Sequence, residues 1–217
     1  MSTLRVLSAT FVLSVLLAGC ASLSKDECTA GDWKGIGVQD GMAGKPASRI
    51  EDHKKACSKY GVSPDLASYQ AGRSIGLKSY CTIPSGFQQG RMGRSYSDAC
   101  PSATAPAFQK GYSLGFELRN AHSKLDDVES RISYAENRID DLRYEIASTS
   151  CASGKEGKNC RRVLRDKRDE IRDLRSDVTF ARLEILQAQA NLELVRERVI
   201  SEMSYIAPGF VIEAQYQ

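Results

Sequence analysis

Ser148-Thr149-Ser150-Cys151-Ala152-Ser153-Gly154-Lys155-Glu156-Gly157-Lys158-Asn159-Cys160 is the stretch on which the fold of this 217-residue chain turns. It is polar, glycine-bearing and bounded by two cysteines, so no regular element crosses it. On its N-terminal side Leu125, Val128, Ile132, Ala135, Ile139, Leu142 and Ile146 recur at spacings of three and four, and the register extends back through Ala121, Leu118, Leu114 and Gly111. That pattern predicts one helix from about Pro106 to Thr149. On its C-terminal side Leu164, Ile171, Leu174, Val178, Ala181, Ile185, Ala188, Leu192, Val195 and Val199 keep a seven-residue repeat broken only by Lys167. Each arm is about 43 residues, or roughly 65 Å at 1.5 Å per residue. Arms of equal length joined by a short loop predict an antiparallel coiled-coil hairpin over residues 106–205, with its tip at 150–160.

The tip cysteines then face each other. A disulfide between Cys151 and Cys160 closes a ten-residue loop worth about 2.7 kcal/mol of chain entropy and pins the register of both arms. Charge also concentrates there: residues 155–168 hold seven basic and two acidic side chains. Arginines at a helix N-terminus oppose the helix dipole by about 0.3–1 kcal/mol each, which points to a role in binding. Lys158, Arg161, Arg162 and Arg165 are the candidate partner-binding residues, toward an anionic protein surface, lipid phosphate or cell-wall carboxylate. Along the rest of the arms the charges read as a solvated face with i,i+4 pairs such as Arg162–Asp166 and Arg165–Asp169.

The other end of the chain sets the compartment. Residues 6–18 are a 13-residue apolar run behind Arg5, too short to span a bilayer, which takes about 20 residues, and of the right form for a secretory leader. The run closes on Leu17-Ala18-Gly19-Cys20, a lipobox, so residues 1–19 are expected to be removed and Cys20 to carry lipid, palmitate-type acyl chains included. Ala21 rather than aspartate follows Cys20, and bacterial lipoproteins of that kind are sorted to the outer membrane. The expected location is the periplasmic face of that membrane. Seven cysteines become six once Cys20 is lipidated, and six in an oxidising compartment read as three disulfides. Fifteen pairings are possible; proximity in sequence favours Cys28–Cys57, Cys81–Cys100 and Cys151–Cys160.

Removal of Arg5 leaves 29 basic and 27 acidic residues, and that near-neutral balance gives no support to a nucleic-acid binder. No C-x-x-C occurs and neither histidine, His53 or His122, sits at ligand spacing from a cysteine, so no metal site is expected. Gly35-x-Gly37-x-x-x-Gly41 misses the dinucleotide spacing, and neither Gly44-Lys45 nor Gly157-Lys158 continues into Ser or Thr. Both histidines read as surface residues. Asp32, Asp40, Glu51 and Asp52 offer carboxylates for glycan hydrolysis, yet Asp32 suits a helix N-cap better. No catalytic residue and no cofactor is assigned.

Between leader and hairpin, a lipidated linker (20–31) leads into a glycine- and cysteine-rich helical domain (32–105). Tyr69-x-x-Gly72-x-x-x-Gly76, Phe87-x-x-Gly90-x-x-Gly93 and Phe108-x-x-Gly111-x-x-x-Gly115 repeat an aromatic followed by glycines, with Trp33, Gly37, Gly41 and Gly44 a looser copy. Starts about 20 residues apart predict one short helix plus a turn per unit. Glycine inside a helix costs about 1 kcal/mol relative to alanine, so two backbones are expected to approach closely there, each aromatic covering a neighbour's glycine face. The alternative is a glycan or peptidoglycan groove with the aromatics as stacking platforms. Ser63-Pro64-Asp65 is expected to set an N-cap and a first-turn proline, Pro84-Ser85 and Pro101-Ser102 to break the chain, and Thr104-Ala105-Pro106 to open the next helix. Residues 206–217 form a tail in which Phe210 to Gln217 alternate like a strand.

Asp32-Trp33, Gly37, Asp40-Gly41, Gly44, Cys57, Gly61, Tyr69, Gly72, Gly76-Leu77, Tyr80-Cys81, Gly86, Gly90, Gly93, Tyr96 and Cys100 resemble the YfiL-like family of bacterial lipoproteins, a domain of unknown function. The resemblance covers about residues 28–115 and implies an envelope location and a cysteine-stapled domain, not a reaction. The expected fold is all-α: a small disulfide-stapled glycine-rich domain followed by a long antiparallel coiled-coil hairpin. The expected function is a non-enzymatic, membrane-tethered scaffold meeting an envelope protein or cell-wall component.

Overall fold

A computed structural model describes residues 22–155 and 157–212; the leader and Cys20 lie outside them. The described chain is all-helical: α1 (Lys25–Ala30), α2 (Trp33–Met42), α3 (Arg49–Ser58), α4 (Leu66–Tyr80), α5 (Ile83–Arg91), α6 (Ala105–Ser148) and α7 (Gly157–Ile206). It forms two compact units. One joins residues 22–82 to Ser97–Pro106; the other joins Ile83–Tyr96 to residues 107–212. Residues 83–96, which the sequence groups with 32–105, therefore pack with the long helices, and α1 occupies the stretch expected as linker.

In the first unit Cys28 and Cys57 bond α1 to α3, and Cys81 bonds Cys100. Leu23, Trp33, Ile50 and Tyr69 pack around the buried Cys28–Cys57 bridge. Asp32 and Asp65 cap α2 and α4, accepting from the Gly35 and Ser68 amides at 2.9 and 3.1 Å, which satisfies amides that no helical carbonyl reaches.

The glycines explain how α2 meets α4. A Cβ on Gly37 would lie 2.1 Å from the Tyr69 carbonyl oxygen, one on Gly41 2.4 Å from that of Arg73, one on Gly72 2.0 Å from that of Lys34, and one on Gly76 2.2 Å from that of Val38. The two helices run parallel, since the matched positions rise together, and their backbones touch. What covers each glycine is the main chain of the opposite helix, not an aromatic ring. The second unit repeats the arrangement: Gly86 and Gly90 of α5 lie against the Phe108 and Tyr112 carbonyls of α6, and Gly111 and Gly115 against those of Ile83 and Phe87, each at 2.0–2.1 Å from a built Cβ.

These are two copies of one motif. Gly37, Gly41 and Gly44 stand 49 residues before Gly86, Gly90 and Gly93; Gly72 and Gly76 stand 39 before Gly111 and Gly115. Gly44 and Gly93 both end their helices at φ +65°, in the left-handed conformation that glycine adopts at little cost. The cap bonds correspond as well: Lys45 N–H donates to Asp40 O and Arg94 N–H to Gln89 O. So do the side chains that reach the residue after each glycine: Arg73 donates to Lys45 O and Tyr112 to Arg94 O, both at 2.8 Å. The repeating unit is thus a pair of helices, where the aromatic spacing suggests a single helix. Pro84 lies in the first turn of α5, where its missing N–H does no harm, and does not break the chain.

The hairpin of α6 and α7 has 44- and 50-residue arms. Its seam buries Val128, Ala135, Ile139 and Leu142 of α6 and Ile171, Val178, Ala181, Ala188, Leu192, Val199 and Met203 of α7. Alanines alternating with larger residues let the arms approach closely. After α7 the chain turns at Gly209, and Phe210 packs edge-on to Phe87, ring centroids 5.7 Å apart. Residues 210–212 are not in a strand, and the rest of the expected strand lies outside the described residues.

Candidate functional site

The far end of the hairpin is where fold and charge converge. Cys151 and Cys160 are bonded, and α7 starts at Gly157, whose missing Cβ leaves room for the Ala152 carbonyl. Arg161 donates from Nη1 to Ala152 O at 2.9 Å and from Nη2 to Gly154 O at 3.0 Å. It thereby clamps the loop as a second cross-link beside the disulfide, so one of the four residues expected to bind a partner is committed to the loop's own carbonyls. Arg162 donates to Asn159 Oδ1 at 2.7 Å, and Asp169 pairs with Arg172; these replace the expected Arg162–Asp166 and Arg165–Asp169 pairs. Lys158, Arg162 and Arg165 are exposed and, with Asn159 and Arg161, line a shallow groove. A rigid loop presenting cationic side chains on one surface can hold an anion without ordering itself first, which removes an entropic penalty from binding.

The arms that carry the tip are laced by ion pairs between α6 and α7. Arg138 meets Glu170 at 2.8 Å and Arg182 meets Glu136 at 2.9 Å. Lys167, the one break in the heptad, reaches Glu145 across the seam; Arg131–Glu184, Arg198–Glu117 and Lys110–Glu202 add three further rungs. The Lys167 ammonium holds the Glu145 carboxyl below its ordinary pKa. Exposed pairs contribute about 0–1 kcal/mol each. Their importance lies in register, since a slip of one arm would break all of them together.

A second polar constellation, not anticipated from the sequence, lies in the first unit. His53, expected at the surface, is 1% exposed. Its Nε2 lies 2.7 Å from Asp40 Oδ2 and its Nδ1 2.9 Å from Ser22 Oγ. Tyr69 donates its hydroxyl to the same Asp40 oxygen at 2.7 Å. Nε2 faces the Asp40 carboxyl and Nδ1 faces a hydroxyl that can either donate or accept, so both ring nitrogens have a partner. Burial, then the Asp40 carboxylate, push the Tyr69 phenol well above its usual pKa. This chain of bonds ties the first described residue to α3, α2 and α4. A signal did exist: Ile50, His53 and Cys57 fall at spacings of three and four, on one face of α3.

Three of the four carboxylates considered for glycan hydrolysis have separate tasks, and the fourth, Glu51, is exposed on α3. Asp32 caps α2, Asp40 serves His53 and Tyr69, and Asp52 pairs with Arg49 at 3.1 Å. His122, also expected at the surface, is partly buried in α6, and burial lowers its pKa. Among the described residues no group of three or more His, Cys, Asp or Glu side chains gathers as a metal site, and no helix is long and apolar enough to cross a membrane. Tyr69, Phe87 and Phe108 are buried.

Residues 32–117 match a family model described as Protein of unknown function (DUF2799), an uncharacterised domain family. The match takes in both helix pairs as far as the start of α6 and leaves the hairpin beyond it uncovered. No curated protein and no solved structure matches the chain.

Proposed function

We propose that this protein is a non-enzymatic lipoprotein of the bacterial outer membrane, anchored through Cys20 after removal of residues 1–19, with its body in the periplasm. In this reading the paired-helix domain is the stable base, and the hairpin presents a basic tip to an anionic partner, an envelope protein or a cell-wall component. The narrower likeness to YfiL-like lipoproteins agrees with that location. The observation that carries the reading is the tip itself: Lys158, Arg162 and Arg165 exposed on a loop held by both the Cys151–Cys160 bond and the Arg161 clamp.

The test is crosslinking of the lipidated protein in intact cells, comparing wild type with Lys158→Glu/Arg162→Glu/Arg165→Glu and leaving Arg161 in place. The reversed tip is expected to lose the captured partner while its circular dichroism and membrane fractionation stay unchanged. An unchanged set of crosslinks from the variant would refute the tip as the docking site. Mass spectrometry of the purified protein checks the anchor, with a lipid-modified Cys20 at the N-terminus expected. The glycan-binding alternative draws no support from a glycine face filled by backbone and aromatics that are buried; Tyr69→Ala or Phe87→Ala would test it.

A further inference from the structure

Opposite its buried seam, α7 carries a second ordered stripe. Taking 100° per residue, Leu183, Leu186, Ala190 and Leu194 lie on the face turned away from α6, with Phe180 at its edge, where it also borders a groove with Arg131 and Tyr134 of α6. Phe180, Leu183, Leu186 and Leu194 are 63%, 60%, 61% and 68% exposed. Five apolar positions along one outer face are more than scattered surface hydrophobics require. The stripe is zoned. On the same side, Arg168, Arg172 and Arg175 precede the apolar stretch and Glu193 and Glu197 close it.

We propose that this face binds a second copy of the chain, with the two α7 helices antiparallel. A two-fold axis near residues 186 and 187 sets Phe180 against Leu194 of the second copy, Leu183 against its Ala190 and Leu186 against its Leu186. The same register sets Arg175 opposite Glu197 of the second copy, with Arg172 one turn away from that glutamate, twice over by symmetry. An isologous interface demands this kind of self-complementarity. A parallel arrangement would match the apolar residues equally well, but it would face arginine with arginine and glutamate with glutamate. Charge therefore selects the antiparallel pair. The proposal does not depend on the basic tip, because none of Lys158, Arg162 or Arg165 lies in the contact.

The chain from residue 20 onward with Cys20→Ser is to be studied by sedimentation equilibrium across a wide concentration range. A monomer–dimer equilibrium is expected. Leu183→Glu/Leu186→Glu should leave only monomer with unchanged helicity, since both side chains are already exposed. Arg175→Glu should weaken the dimer at least about tenfold, a change of about 1.4 kcal/mol, and adding Glu197→Arg should restore it. A wild type monomeric throughout, or a dimer indifferent to the leucine changes, overturns the proposal and leaves the stripe to another partner. A dimer lost with the leucines but not rescued by the charge exchange overturns the antiparallel arrangement.

Discussion

The two glycine-paired motifs share a backbone and differ in how they are held. In the first, α2 and α4 are joined through α3, locked by the Cys28–Cys57 and Cys81–Cys100 bonds, and braced inside by Asp40, His53 and Tyr69. In the second, α5 and α6 have no disulfide of their own. Gln89 stands where Asp40 does and Phe108 where Tyr69 does, so the carboxylate and the hydroxyl it accepts have changed together. Apolar packing replaces them: Phe87, Leu114 and Leu118 join Leu192, Val199 and Met203 of α7 in one cluster. A short motif too small for a large core is stabilised by covalent and polar links in one copy and by lengthening a helix into a coiled coil in the other.

The largest expected effect separates the copies by their covalent links. Cys28→Ala/Cys57→Ala opens a loop with a sequence separation of 29 and is expected to destabilise the first unit by about 3.6 kcal/mol on the chain-entropy relation. Hydrogen exchange should show α1 to α4 losing protection while α5 stays protected. Equal loss in both units would mean that they unfold as one, and the comparison between them would fail. Cys151→Ala/Cys160→Ala should cost about 2.7 kcal/mol, read as fraying of the hairpin from its tip with the paired-helix motifs unaffected.

Next in size are substitutions at the feature the copies share. Gly72→Ala and Gly111→Ala each place a methyl 2.0 Å from a carbonyl oxygen of the opposite helix. A methyl 2.0 Å from a backbone atom takes the upper end of the overpacking cost, about 3 kcal/mol, and the higher helix propensity of alanine returns about 1 kcal/mol of it. A net loss of about 2 kcal/mol is expected for each, measured by denaturant unfolding. Gly61→Ala is the control: nothing lies within 4 Å of its Cβ and only the φ of +71° opposes it, a penalty of about 1–2 kcal/mol. Similar losses at positions 72 and 111 would support equivalence of the copies; tolerance at one alone would show that only the other needs backbone contact.

The hairpin was legible because a heptad repeat is a one-dimensional signal. Leu164 to Val199 declare the buried face of α7, and the cysteine-bounded loop declares the reversal. The cap at Asp32 follows an equally local rule, whereas α4 is capped by Asp65, so that Pro64, expected in its first turn, lies before it. The pairing of α2 with α4 was hidden because the offset between copies is 49 residues for the first helix and 39 for the second, so no single period appears. His53 was misread because Arg49 to Lys55 is dense in charge, and burial there depends on Asp40, Ser22 and Tyr69 arriving from three other segments. The cross-arm pairs such as Arg138–Glu170 require the register of two helices, which neither arm specifies alone. The cation at the tip that clamps the loop, Arg161, looks like its neighbours until the loop carbonyls are in place.

The smallest expected effect tests whether the buried polar cluster is a unit. Tyr69→Phe writes the second copy's residue into the first and removes one of two donors to Asp40; hydrogen bonds to a charged group contribute about 1.5–3 kcal/mol. With surrounding relaxation, a loss near the lower figure is expected. Asp40→Gln alone should cost more, since it also deprives His53 of its carboxylate. If Asp40 and Tyr69 changed together because each needs the other, the double variant should lose less than the two single losses added, by about 1 kcal/mol or more, as contacting residues do. The alkaline limb supplies an independent check. Tyr69 has a raised pKa in the folded protein, so its contribution is complete below the unfolded phenol value of about 10 and declines as pH rises beyond it. Tyr69→Phe should therefore flatten the fall in stability above that pH. Strict additivity of the two substitutions, together with an unchanged alkaline slope, would reduce the cluster to separate contacts and leave the paired difference at Gln89 and Phe108 without a physical cause.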